Sequence, residues 1–236
     1  MQATAPASLR LYLIRHGETE WSLSGRHTGR TDIALTANGT EEARELGKRL
    51  QGIPFARVLT SPLKRALQTC KLAGLANVPE VEPDLAEWDY GDYEGRRSAD
   101  IRKEQPDWNV YRDGCPNGEL PAQVSARSDR LIARLCKLDG NVALFSHGQI
   151  GSAIAARWIG LAVVEAQHFA LGTASLSILS LDPHHPGVPV IALWNAACRE
   201  IFNGAHIHFA PGAMTFKQRA LDRWKNEGGE NTDEFL

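Results

Sequence analysis

Two apolar runs of this chain end in the same dipeptide. Leu9-Arg10-Leu11-Tyr12-Leu13-Ile14 leads straight into Arg15-His16-Gly17, and Asn141 to Ser146 (NVALFS) leads into His147-Gly148. A short apolar run bounded by glycine reads as a strand buried on both faces, the kind that lies in a parallel sheet covered by helices. His16 and His147 then stand at the carboxyl ends of two strands, where open α/β sheets bind their ligands.

The segments between these runs supply the rest of the architecture. From Thr36 the stretch TANGTEEARELGKRLQG sets Ala43, Leu46 and Leu50 at helical spacing, with Thr36 as N-cap and Gly52 as stop. Ala56 to Thr60 reads as another strand, and Ser61-Pro62 as an N-cap with proline at the first helical position, opening a helix that carries Arg65. A third short strand precedes Asp84-Leu85, and Ala174 to Leu181 and Val188 to Trp194 read as a closing pair at the sheet edge, joined by DPHHPG. The alternation of strand and helix predicts an α/β three-layer sandwich with a mostly parallel central sheet flanked by helices.

With 236 residues, 43% of them hydrophobic, the chain has the material for one large domain. The expected division is a leader over residues 1–8, a catalytic domain over 9–203 and a tail over 204–236. Within that tail Ile207-His208-Phe209-Ala210-Pro211 reads as a lid or a homo-oligomer contact, and the last eight residues as mobile. A net charge of -2 from 26 basic and 28 acidic residues gives no global field for nucleic acid or anionic membrane. The start MQATAPASLR lacks signal-peptide character and no run reaches the roughly 18 apolar residues of a membrane span, so a cytoplasmic protein is expected. Cys70, Cys115, Cys136 and Cys198 form no C-x-x-C pair and read as reduced thiols, mostly buried, not as metal ligands.

Arg15, His16 and His147 at two strand ends, with Arg65 after a third, bring two guanidiniums and two imidazoles together. That donor set matches a dianionic phosphate, since Arg offers bidentate donors and imidazole adds hydrogen bonds. An isolated histidine after a strand is more often structural; a matched pair beside an arginine-bearing helix points to function.

The string Leu13-Ile-Arg-His-Gly-Glu-Thr-Glu-Trp21 resembles the R-H-G-E-T signature of the histidine phosphatase (phosphoglycerate mutase-like) superfamily. Thr60-Ser-Pro-Leu-Lys-Arg-Ala-Leu-Gln-Thr69 is similar to its S-P-x-x-R-A-x-Q-T, and Ser146-His147-Gly148 to its second H-G. The resemblance spans Leu9 to Asn195. It implies that His16 is the phosphorylated nucleophile, that Arg15, Arg65 and His147 form the phosphate pocket, and that Glu87 in LAEWDYGDYEGR is the proton donor. Asp84, Asp89, Asp92 and Glu94 are its rivals for that role.

Substrate contacts implied alongside are Ser22, which departs from the Asn of many members, the backbone at Thr28 and Gly29, and Tyr90, Gly148 and Gln149. His27, His168, His184, His185, His206 and His208 fit no motif and read as surface or core residues. The chemistry needs neither metal nor cofactor: a neutral imidazole attacks phosphorus, fixed cations stabilise the equatorial oxygens, and a carboxylic acid, raised in pKa by an apolar neighbour such as Trp88, protonates the leaving alkoxide. SGRHTGRTD, EWDYGDYEG and YRDGCPNGE resemble the sugar-bisphosphate phosphatases typified by fungal sedoheptulose-1,7-bisphosphatase, which implies a sugar phosphate or bisphosphate as substrate. Phosphoglycerate-type transfer and a non-catalytic phosphate-binding protein are the alternatives. Arg26, Arg30, Arg97 and Arg112 could hold a second phosphate or simply stand in solvent.

Overall fold

The computed structural model describes residues 9–197. The expected leader, tail, lid segment and Cys198 lie outside them. Along the chain run β1 (Arg10–Arg15), α1 (Glu20–Ser24), α2 (Ala37–Leu50), β2 (Phe55–Thr60), α3 (Lys64–Ala73), β3 (Glu80–Val81), α4 (Ser98–Glu104), α5 (Val110–Asp113), α6 (Pro121–Leu135), β4 (Asn141–Ser146), α7 (Gly148–Trp158), β5 (Leu176–Leu181) and β6 (Pro189–Ala196). The strands form one sheet in the order β3-β2-β4-β1-β5-β6. The pairs β3-β2, β2-β4 and β4-β1 are parallel, and β5 and β6 close one edge as an antiparallel pair.

Both faces of the sheet are buried, which is why its central strands read as continuous apolar runs. Leu11 and Leu13 of β1 and Val142 and Leu144 of β4 point into a core shared with Ile101, Val110, Val124, Leu131 and Ile150. The alternate residues Tyr12, Ile14, Ala143 and Phe145 face a second core with Leu46, Leu50, Cys70 and Ala73. Helices α4 to α7 cover one face and α2 and α3 the other, giving the three layers expected.

Register decides what meets at the top of the sheet. Arg15 pairs with Ser146 and Thr60 with Phe145, so His16, His147 and Ser61 emerge side by side as the next residues. The backbone confirms it: His16 N–H donates to Ser146 O at 3.0 Å and Ser61 N–H to Phe145 O at 2.9 Å.

One helix start differs from expectation. Thr36 caps α2 as predicted, its side chain accepting from Gly39 N–H, but α3 begins at Lys64 instead of Pro62. Ser61 remains at the strand end, where its Oγ accepts the Leu63 N–H at 3.2 Å. The Lys64 N–H is met by Asp32 Oδ1 at 2.6 Å, a cap supplied from a remote loop. Cys70 and Cys115 are buried and Cys136 partly so, all three as free thiols; burial pushes those of Cys70 and Cys115 up to about 12. Among the described residues no helix is long and apolar enough to cross a membrane.

Candidate active site

Beyond the carboxyl ends of β1 and β4 lies a cavity of about 210 Å³ whose walls include Arg15, His16, Glu87, Tyr90 and Gln149. His16 is 5% exposed, and its Nδ1 stands 2.7 Å from Gly17 O. A carbonyl only accepts, so Nδ1 carries the proton and the neutral ring presents its lone pair at Nε2. Burial first, then the charges of Arg15 and Arg65, hold this imidazole well below its ordinary pKa. The ring is therefore neutral, with the Nε2 lone pair available to an electrophile.

His147 is fixed from both sides. Its Nδ1 accepts from Arg65 Nε at 3.1 Å and its Nε2 lies 2.7 Å from Ser61 Oγ. Guanidinium nitrogens only donate, so the His147 proton sits on Nε2 and is given to Ser61. Burial and the Arg65 charge keep this ring neutral too. The two imidazoles meet edge to face with centroids 5.1 Å apart.

The two arginines differ in what they have left to give. Arg65 is wholly buried and donates to Thr28 O at 2.7 Å, Gly29 O at 3.0 Å and Thr31 O at 3.1 Å as well as to His147. These four bonds leave one N–H, on Nη1, so Arg65 acts chiefly as a charge and a clamp on the 28–31 loop. Arg15 donates to Leu171 O through Nη1, lies against Gly148, and has a buried Nε with no partner. A buried orphan donor beside a histidine lone pair is a place for an anion.

Of the five carboxylates considered for the acid, Glu87 is the one that lines the cavity. It is 8% exposed and accepts backbone N–H from Trp88, Gln149 and Ile150 at 2.9, 3.1 and 2.8 Å, the last two at the amino end of α7. Its rivals are engaged elsewhere: Asp84 with Arg130 and Arg134, Asp89 with Arg30, Asp92 with Asn117, and Glu94 with the Gly29 and Thr31 amides. Trp88 turns into the core, where its Nε1 donates to Glu119 O.

The expected substrate contacts divide. Ser22, Thr28, Tyr90 and Gln149 line the cavity. The Ser22 hydroxyl, however, closes the capping box of α1 by bonding Thr19 O and N–H, so it is a wall and not a free donor. Gly29 has its backbone engaged within the protein: its N–H donates to Glu94 and its carbonyl accepts from Arg65. A Cβ there would stand 2.5 Å from Trp88 O, so glycine is required for packing.

Two participants were not singled out by the sequence. His27, read as an unassigned histidine, is buried and lines the cavity, stacked on Tyr90 at 4.5 Å with Nε2 3.0 Å from Ser98 Oγ. Burial lowers its pKa to about 4, with help from the Arg102 charge. Arg127, 8% exposed, ties α6 to the Glu87 loop by donating to the carbonyls of Asp84, Ala86 and Glu87, while Glu119 neutralises it at 2.7 Å. Its place on the buried face of α6 with Val124 and Leu131 is the signal that marks such a residue.

Comparison with known proteins identifies the family and the fold. The profile described as "Histidine phosphatase superfamily (branch 1)" matches residues 11–196. An acid phosphatase of Mycobacterium tuberculosis is 45% identical over 177 residues, covering 73% of this chain and 87% of its own. Sedoheptulose 1,7-bisphosphatase of Saccharomyces cerevisiae is 37% identical over 187 residues, covering 65% of this chain and 69% of its own. A solved structure of a Mycobacterium tuberculosis open reading frame superposes with a TM-score of 0.76 at 41% identity, covering 80% of this chain and 98% of the other.

Proposed function

Because this chain belongs to the histidine phosphatase superfamily and is a phosphoric monoester hydrolase, we propose that it hydrolyses a small phosphomonoester through a phosphohistidine on His16. The observation that carries this reading is the buried, neutral His16 ring with Nδ1 tied to Gly17 O. A nucleophilic nitrogen has to be unprotonated and aimed, and both conditions are met before substrate arrives.

The substrate's phosphoryl oxygens bind Arg15 Nε and the remaining Arg65 N–H. His16 Nε2 attacks phosphorus in line, the bond to the leaving oxygen breaks, and Glu87, carrying a proton, delivers it to that oxygen. Positive charge that develops on the imidazole is shared with Gly17 O through the Nδ1 proton. Water then attacks the phosphohistidine while the Glu87 carboxylate takes its proton; the P–N bond breaks, and inorganic phosphate leaves. The guanidiniums supply the charge stabilisation, so the reaction runs without metal or cofactor.

Cavity size and charge support a small-molecule partner. About 210 Å³ is below the roughly 300–1,000 Å³ of drug-sized sites, which suits a small phosphorylated group. The net charge of -2 offers no extended field for nucleic acid or membrane. Alkaline rapid quench after mixing with labelled phosphomonoester should leave the label on His16. Wild-type turnover by His16→Ala would overturn the proposal.

A further inference from the structure

Four arginines, Arg26, Arg30, Arg97 and Arg112, are candidates from the sequence for a second phosphate, and the structure separates them. Arg30 pairs with Asp89 at 2.8 Å, Arg112 with Asp113 at 2.8 Å, and Arg97 approaches Asp100 at 3.9 Å. Arg26 has no carboxylate partner among the described residues, and it lines the cavity that holds His16. Its guanidinium lies over the Trp21 ring at 6.0 Å, and Trp21 in turn packs against Gly95.

The backbone holds this region in place. Arg26 bridges Arg97 in antiparallel fashion, His27 N–H donates to Arg96 O at 2.8 Å, and Gly95 N–H donates to His27 O at 2.9 Å. Residues 26 and 27 thus form a short ribbon with 95–97, which sets Arg26, His27 and Ser98 along one wall. The same cavity is lined by Arg15 and His16, the phosphoryl-binding residue and the nucleophile of the reading above.

We infer that this wall is a second anion subsite: Arg26 takes a negatively charged group on the leaving part of the substrate, and the His27 imidazole and Ser98 hydroxyl bind beside it. The substrate class is then a small molecule with two anionic groups, one being the phosphoryl that His16 receives. This inference rests on the hydrolytic reading above. A cation left unpaired at a polar cavity that already contains a phosphoryl site adds attraction for a second anion and discriminates against substrates without one. The Trp21 stack limits the side chain's freedom, so less is lost when it binds.

The test compares a hexose bisphosphate, a hexose monophosphate and a phosphorylated hydroxy acid at low salt. Replacing Arg26 by Met keeps the apolar stem on Trp21 and removes the charge. The ratio of kcat/KM on each substrate with two anionic groups to that on the monophosphate should fall about tenfold or more, the scale of one charge-assisted hydrogen bond, and Arg26→Lys should restore part of it. The fall on the bisphosphate alone assigns a second phosphate, and the fall on the hydroxy acid alone a carboxylate. Calorimetry on His16→Ala, with and without Arg26→Met, reads the same preference as binding. Hydrolysis of all three compounds with ratios untouched by Arg26→Met overturns the subsite alone. Absence of hydrolysis together with an Arg26-dependent preference in calorimetry overturns the hydrolytic reading and leaves the subsite standing.

Discussion

Arg65 Nε donates to His147 Nδ1 at 3.1 Å, and that bond forces the His147 proton onto Nε2, 2.7 Å from Ser61 Oγ. Ser61→Ala removes the acceptor and leaves a buried N–H unpaired, a cost of about 1–3 kcal/mol. We expect kcat to fall about tenfold, with the nitrogen NMR shifts of His147 moving while those of His16 stay. Unmoved His147 shifts would mean that Ser61 does not hold the ring. Arg65→Lys should not rescue Arg65→Ala, because a lysine cannot span His147 and the carbonyls of Thr28, Gly29 and Thr31.

Arg15 carries the orphan donor of the site, so Arg15→Ala should lower kcat/KM by about 2–4 kcal/mol of transition-state stabilisation, the scale of one oxyanion donor. Vanadate should inhibit the wild type far more than Arg15→Ala. Activity should also survive EDTA; rescue by magnesium after chelation would contradict guanidinium-only stabilisation.

Glu87 is tested by the leaving group. A sugar alkoxide departs only as it is protonated, whereas nitrophenolate leaves unaided. Glu87→Gln should lose about a hundredfold on sugar phosphates and spare the first step on p-nitrophenyl phosphate. Dephosphorylation still needs a base, so a burst of nitrophenol should precede slow turnover. Equal losses without a burst would reduce Glu87 to a positioning residue.

His27 makes stability depend on pH. Its folded pKa of about 4 lies below the ordinary 6.5, so the unfolded chain takes up the proton first as pH falls. Stability is complete above 6.5 and is lost progressively toward pH 4, by about 3 kcal/mol from this residue. The lowered values of His16 and His147 act in the same direction. His27→Phe keeps a ring against Tyr90, and denaturant melts from pH 7 to 4.5 should show a shallower slope than wild type. For the same reason kcat/KM, corrected for ionisation of the substrate, should show no break at pH 6.5 from protonation of His16.

Gly39 opposes two effects. Alanine favours a helix by about 1 kcal/mol over glycine, but a Cβ at this position in α2 would overlap Glu18 O and lie 2.6 Å from Glu18 N. Glu18 follows Gly17, which packs against Gly39 and carries the carbonyl that holds His16. Backbone cannot yield as a side chain would, so the clash wins. Gly39→Ala should cost about 1–3 kcal/mol of stability and also lower kcat; a stabilised variant of normal activity would refute this contact.

The sequence alone determined the strands, the two helices α2 and α3 on one face and the residues at the strand ends, because burial on both faces writes a continuous apolar run and His-Gly marks where it stops; the helices α4 to α7 of the other face became legible only in the structure. It also named His16, Arg15, Arg65 and His147, since signature residues lie close together in the chain. The adjacency of His16 and His147 was decided by the order that sets β1 against β4, and the order follows from packing across the whole sheet. Glu87 was separated from Asp84, Asp89, Asp92 and Glu94 only when each rival met its partner. Ser22 and Gly29 look like ligand contacts in sequence, but their polar groups satisfy a helix cap and an internal loop. His27 and Arg127 became legible only in three dimensions. Local patterning records whether a residue is buried, whereas the partner that a buried polar group must find is usually remote in the chain and is fixed by tertiary structure.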